Sequence, residues 1–66
     1  MKNLLLKKIN YKEITLDGYS GKYHVSCFDT ERRKTTYSYI FKTMKEAKDC
    51  FEQLVEIQEE KITYQF

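Results

Sequence analysis

The chain is 66 residues long, with twelve Lys/Arg against ten Asp/Glu (formal net charge +2), six Tyr, four Phe, two Gly and no Pro. Such a length makes one domain, residues 1–66, which buries only about 60% of the surface its unfolded form exposes, so aromatics must fill much of a small core. The composition excludes a linker or disordered tail, and the apolar run Leu4-Leu5-Leu6 is too short for a signal peptide or a membrane span, so a cytoplasmic domain with no membrane partner is expected.

In chain order, Leu4 and Leu6 alternate in phase with Ile14 and Leu16, whereas Ile9 and Tyr11 fall out of phase. Residues 1–12 therefore form either one bulged strand or two short ones meeting near residues 8–11. The preferred reading runs an N-terminal strand on into a main strand at residues 13–17. Asp17-Gly18-Tyr19-Ser20-Gly21 reads as a turn whose two glycines can take positive φ. A strand follows over residues 22–28, then a loop at Asp29-Thr30-Glu31-Arg32-Arg33, then a strand over residues 34–41. Loops this short imply an antiparallel meander.

The strand stops and a helix starts at Phe41-Lys42-Thr43-Met44-Lys45-Glu46-Ala47. Thr43 and Glu46 have the spacing of a capping box, in which the Thr hydroxyl accepts from the Glu amide and the Glu carboxylate reaches back to the Thr amide. Met44, Ala47, Phe51, Leu54 and Val55 then recur on one helical face to about residue 60, with Cys50 and Ile57 at its margin. Ile62-Thr63-Tyr64-Gln65-Phe66 alternates again, as a short terminal strand would.

These elements define an α+β domain: a three- to four-stranded, mainly antiparallel sheet with one helix packed on one face, β-β-β-α with that possible extra strand. Tyr23, Val25, Cys27, Tyr37, Tyr39 and Phe41 are expected to face the helix. The even positions Lys22, His24, Ser26, Phe28, Lys34, Thr36, Ser38 and Ile40 are expected on an open face, with Glu13, Thr15 and Asp17 on the same side.

Cys27 and Cys50 with one histidine cannot assemble a zinc site, so no metal or cofactor is expected; both cysteines fall at positions expected to be at least partly buried and read as free thiols, a disulfide or a reactive thiol being the alternative. His24 and Cys27 fall on opposite faces of their strand, no glycine-rich phosphate loop occurs, and so small a domain leaves little room for a pocket of several hundred Å³. The chain reads as a non-enzyme.

Charge is segregated: residues 1–42 carry +5 and residues 43–66 carry −3. The basic half and its open face suggest a nucleic-acid interface made of Lys22, His24, Ser26, Lys34, Thr36 and Ser38, with Arg32-Arg33-Lys34 gripping phosphates from the hairpin tip. A sheet of this kind can enter the major groove of double-stranded DNA. Glu13 and Asp17 on that face oppose the reading.

The run Gly21-Lys22-Tyr23-His24-Val25-Ser26-Cys27-Phe28-Asp29, a basic loop, and Phe41-Lys42-Thr43-Met44-Lys45-Glu46-Ala47-Lys48 resemble the small arm-binding N-terminal DNA-binding domain of phage and transposon integrases. The resemblance implies a three-stranded sheet backed by one helix and inserted into the DNA major groove, with Lys22, His24, Ser26, Lys34, Thr36 and Ser38 turned to the groove. The competing reading is a protein-interaction module, an adaptor or a small phage-type inhibitor. It would act through the acidic helix face (Glu46, Asp49, Glu52, Glu56, Glu59, Glu60) or through a strand edge, which can also pair two copies into a homodimer.

Overall fold

Three turns, each with a residue in the left-handed region, cut the first 41 residues into strands. Asn10 takes φ 54°, Ser20 and Gly21 take 45° and 73°, and Arg33 takes 55°. Gly and Asn adopt that conformation at least cost, which favours reversal at Asn10 and Gly21; Arg33 has no such preference and sits in the turn that Asp29 ties down. The computed structural model describes residues 2–64, with side chains described for residues 2–59. The strands are β1 (Lys2–Ile9), β2 (Lys12–Tyr19), β3 (Lys22–Asp29) and β4 (Lys34–Phe41), and the helix α1 spans Met44–Tyr64. The strands form one antiparallel sheet in the order β1-β2-β3-β4.

The fold is the expected α+β arrangement with four strands, and the fourth comes from the N-terminus. The chain does not run from its first strand into the second. It reverses at Asn10-Tyr11, between the paired Ile9 and Lys12, so the phase change in the sequence is a tight turn. The bulge of this hairpin lies elsewhere, between Asn3 and Leu5. Gly18 is likewise inside β2, paired with Tyr23, and only Ser20-Gly21 turns. The expected terminal strand is also absent over residues 62–64, which continue α1. No Gly or Pro follows Met44 to stop the helix. Residues 65 and 66 lie outside the described residues.

Packing follows from the register. Ile14 pairs with Cys27 and Leu16 with Val25, and these four central side chains are fully buried under α1. Ala47, Phe51 and Leu54 descend on them from the helix, and Ile9 closes one end. Gln58 continues the buried helical stripe. Burying each large aliphatic or aromatic side chain here contributes about 1.5–3 kcal/mol. At the helix start, the Glu46 amide donates to Thr43 Oγ1 (3.3 Å), and the Thr43 hydroxyl itself donates to Glu46 Oε1 (2.8 Å). The carboxylate thus closes the cap on the threonine hydroxyl, where the amide was expected.

One helix does not cover four strands. Outer strands of such a sheet lie roughly 14 Å apart, and a helix with its side chains is about 10 Å across. α1 lies mainly over β2 and β3.

Candidate functional site

Across the sheet face turned away from α1, register decides which side chains meet. Asp17 faces His24, Thr15 faces Ser26 and Glu13 faces Phe28, while Ser26 faces Ser38 and His24 faces Ile40. Their polar atoms bond to one another. Thr15 and Ser26 share a hydrogen bond of 2.8 Å, and His24 Nε2 and Ser38 Oγ share one of 2.7 Å. Asn3 Nδ2 donates to Asp17 Oδ1 (3.0 Å), and Lys8 Nζ lies 3.5 Å from Glu13 Oε2. Between these pairs Leu6 and Ile40 stand exposed. The face is therefore stitched to itself and carries two carboxylates.

Of the residues expected to read DNA, the structure brings together His24, Ser26 and Ser38. Lys22 sits at the far end of β3, beside the Ser20-Gly21 turn, while Arg32 and Arg33 lie beyond Asp29 at the opposite end. An eight-residue strand separates them by roughly 23 Å. Lys34 and Thr36 do not stand on the open face as simple alternation requires. The β3–β4 register shifts after Cys27, so that Thr35 faces Phe28 and Lys34 faces the buried Asp29 on the helix side. Thr36 is the extra residue, and its hydroxyl donates to the Cys27 carbonyl at 3.1 Å. A bulge inserts one residue and reverses the alternation beyond it.

Asp29 organises the basic turn. Its Oδ1 accepts the amides of Glu31 and Arg32, each at 3.0 Å. Its Oδ2 lies 3.0 Å from Lys12 Nζ and 4.0 Å from Arg32 Nε. The Arg32 amide and then the Lys12 ammonium hold its carboxyl below the ordinary aspartate range, against the opposing effect of burial. Thr30 ties this turn to the neighbouring one, its amide and hydroxyl donating to the Tyr11 carbonyl at 2.7 and 2.8 Å. The Arg32 and Arg33 side chains are left exposed on a fixed loop.

A concavity lies on the other side of the sheet, between β4 and α1. Tyr37, Tyr39 and Phe41 form one wall, and the helical stripe Glu46, Asp49, Cys50, Gln53, Leu54 and Ile57 forms the other, around about 600 Å³ of open groove. Consecutive rings stand 6.4 Å apart, Tyr37 and Tyr39 nearly parallel at 15° and Tyr39 and Phe41 tilted at 36°. Tyr39 and Ile57 are each 44% exposed. The expectation that so small a domain leaves no room for such a volume does not hold, because the helix is narrower than the sheet. Cys27 is buried in the core, and Cys50 forms part of the groove wall, where burial pushes its thiol up. Both are free, and the half-buried Cys50 matches its expected place at the margin of the helix's apolar face.

The groove and the Asp29 clamp are the features that alternation alone did not reveal. An aspartate at a strand end, two and three residues before the amides it accepts, is a turn signal. The groove's helical wall was legible as a stripe at 46, 50, 53 and 57, one step round from the core stripe at 47, 51, 54 and 58.

Comparison with protein-family models, curated proteins and solved structures returned no match for this chain. The resemblance to arm-binding domains therefore rests on its own motifs. Among the described residues no cluster of His, Cys, Asp and Glu could hold a metal ion, and no helix is long and apolar enough to cross a membrane.

Proposed function

We propose that the chain is a non-enzymatic protein-interaction module whose working surface is the outer edge of β4 and the aromatic groove behind it. The observation that supports this is the asymmetry of the two sheet edges. Each edge strand carries a bulge, at Leu4 in β1 and at Thr36 in β4, but β1 is also guarded by Lys2, Lys7 and Lys8, a common protection against unwanted pairing. β4 has no charge between Thr35 and Phe41 and no Gly or Pro, and it opens directly onto exposed tyrosines. An added strand would find main-chain partners on that edge and side-chain pockets in the groove. The two free thiols support a reducing compartment, the cytoplasm.

Panning a random peptide library against the immobilised protein, and mapping binders by amide-resolved NMR, tests this reading. Binders should shift residues 35–41 and 46–57 and be lost on Tyr39→Lys, which puts a charge into the groove. Binders that map only elsewhere, or none at all, overturn it.

A second reading, double-stranded DNA binding, is favoured by the Asp29 clamp, which holds two exposed arginines on one fixed turn next to Lys34. It predicts NMR shifts at residues 31–34 on titration with a random duplex at low salt, fading toward physiological salt. No shift at low salt removes that reading.

A further inference from the structure

We infer that the strand docking on β4 is the β4 of a second copy of this chain, paired antiparallel about a two-fold axis. The two sheets then become one of eight strands with both helices on the same side. This rests on the interaction reading above and names its partner.

Three observations point to a second copy. First, β4 is itself a strong strand: Thr35, Thr36, Tyr37, Tyr39, Ile40 and Phe41 are all β-branched or aromatic. A strand of that sequence serves equally as template and as the strand that is added.

Second, the charges are arranged for antiparallel self-pairing. Lys34 stands at the start of β4 and, by its pairing with Asp29, on the helix side of the sheet. Glu46 and Asp49 line the groove on that same side, near the opposite end of the strand where α1 begins. Antiparallel overlay lays the Lys34 end of each copy against the Glu46 and Asp49 end of the other, twice. Parallel overlay would instead bring like ends together with the two helices on opposite faces, so that no Lys34 meets an Asp49. Glu46 is already engaged by the Thr43 hydroxyl, which leaves Asp49 as the acceptor best placed for the incoming lysine.

Third, the exposed apolar side chains are where such a contact needs them. Tyr37, Tyr39 and Ile57 line the groove on the helix side, and Ile40 lies along the edge on the open face. Two-fold pairing makes the contact isologous and closed, covering both grooves at once and leaving no free copy of this edge. The guarded β1 edges remain outside, so the assembly stops at two.

Sedimentation equilibrium of the full chain from micromolar to millimolar concentration tests the inference. The wild type should show a concentration-dependent dimer. Lys34→Glu and Asp49→Lys, each checked for folding by circular dichroism, should each weaken association about tenfold or more by opposing like charges. An equimolar mixture of the two variants should regain it, because every charged pair across the mixed interface again joins opposite signs. Tyr39→Lys should leave a folded monomer. A wild type that stays monomeric at millimolar concentration overturns the second copy, as does a mixture that regains nothing or a dimer indifferent to Tyr39→Lys. If the monomer nevertheless binds library peptides at residues 35–41, only the identity of the partner falls. If it binds none there, the interaction reading falls with it.

Discussion

Asp29 illustrates how much one side chain decides in a domain this small. It orders the basic turn, pairs with Lys12 and faces Lys34 across the strands. Its carboxyl is held below the ordinary range in the folded chain. The contribution of that ionised group is therefore fully present above the unfolded value of about 3.9 and is lost as pH falls through the lower folded value. Urea denaturation of the wild type and Asp29→Asn from pH 7 down to pH 2 should show the wild type more stable at neutral pH and the gap closing below about pH 4. A gap that stays constant through the acid range would assign Asp29 a purely steric role. The two glycines make the matching point about backbone. The sequence places both in one turn, yet only Gly21 has positive φ, and an alanine there should cost about 1–2 kcal/mol. Gly18 is in extended backbone, where an added Cβ meets the end of the exposed Leu4 side chain at 3.1 Å and touches Tyr23 Cδ1 at an ordinary 3.8 Å. Gly18→Ala should be neutral or stabilise by up to about 1 kcal/mol in the same assay.

At the scale of elements, what was legible was what carries its own local signal. β3, residues 37–41 of β4 and the start of α1 could be read because alternation holds there and Thr43 and Glu46 mark the joint. Thr43→Ala removes both bonds of the cap and should cost about 0.5–2 kcal/mol in thermal or urea unfolding. The same mutation should leave the sheet intact, seen as unchanged cross-strand contacts by NMR. The N-terminal hairpin was not legible, since its turn is Asn10-Tyr11, with neither Gly nor Pro. Asn10 is a turn residue, but one Asn followed by Tyr is a weak signal and resembles a phase slip until a partner strand is seen. The β4 bulge hid in the same way. Thr35-Thr36 offers no sequence sign that one of the two is extra, and the error moved Lys34 and Thr36 to the wrong face. The helix beyond residue 60 was misread because five alternating residues are too few to separate a strand from the last turns of a helix.

At the scale of the whole molecule, the dimensions of the elements decide which surfaces stay free. A four-stranded sheet under one helix has a surplus flank at each edge, and the one beside β4 is aromatic and uncharged, whereas β1 is lysine-rich. The centre must supply the stability. Leu16 is fully buried between α1 and β3, and Leu16→Ala should cost about 2–5 kcal/mol, enough to unfold much of a 66-residue domain at room temperature. The edges should behave differently from the centre and from each other. Amide hydrogen exchange followed at micromolar protein should protect β2 and β3 most, because their amides are paired on both sides and lie under the core. Outward amides of β1 and β4 should exchange fast. On raising the protein to millimolar, self-pairing requires the outward amides of β4 alone to slow, while those of β1 stay fast. Slowing at both edges would signal non-specific aggregation, and slowing at neither would leave the groove without the partner assigned to it.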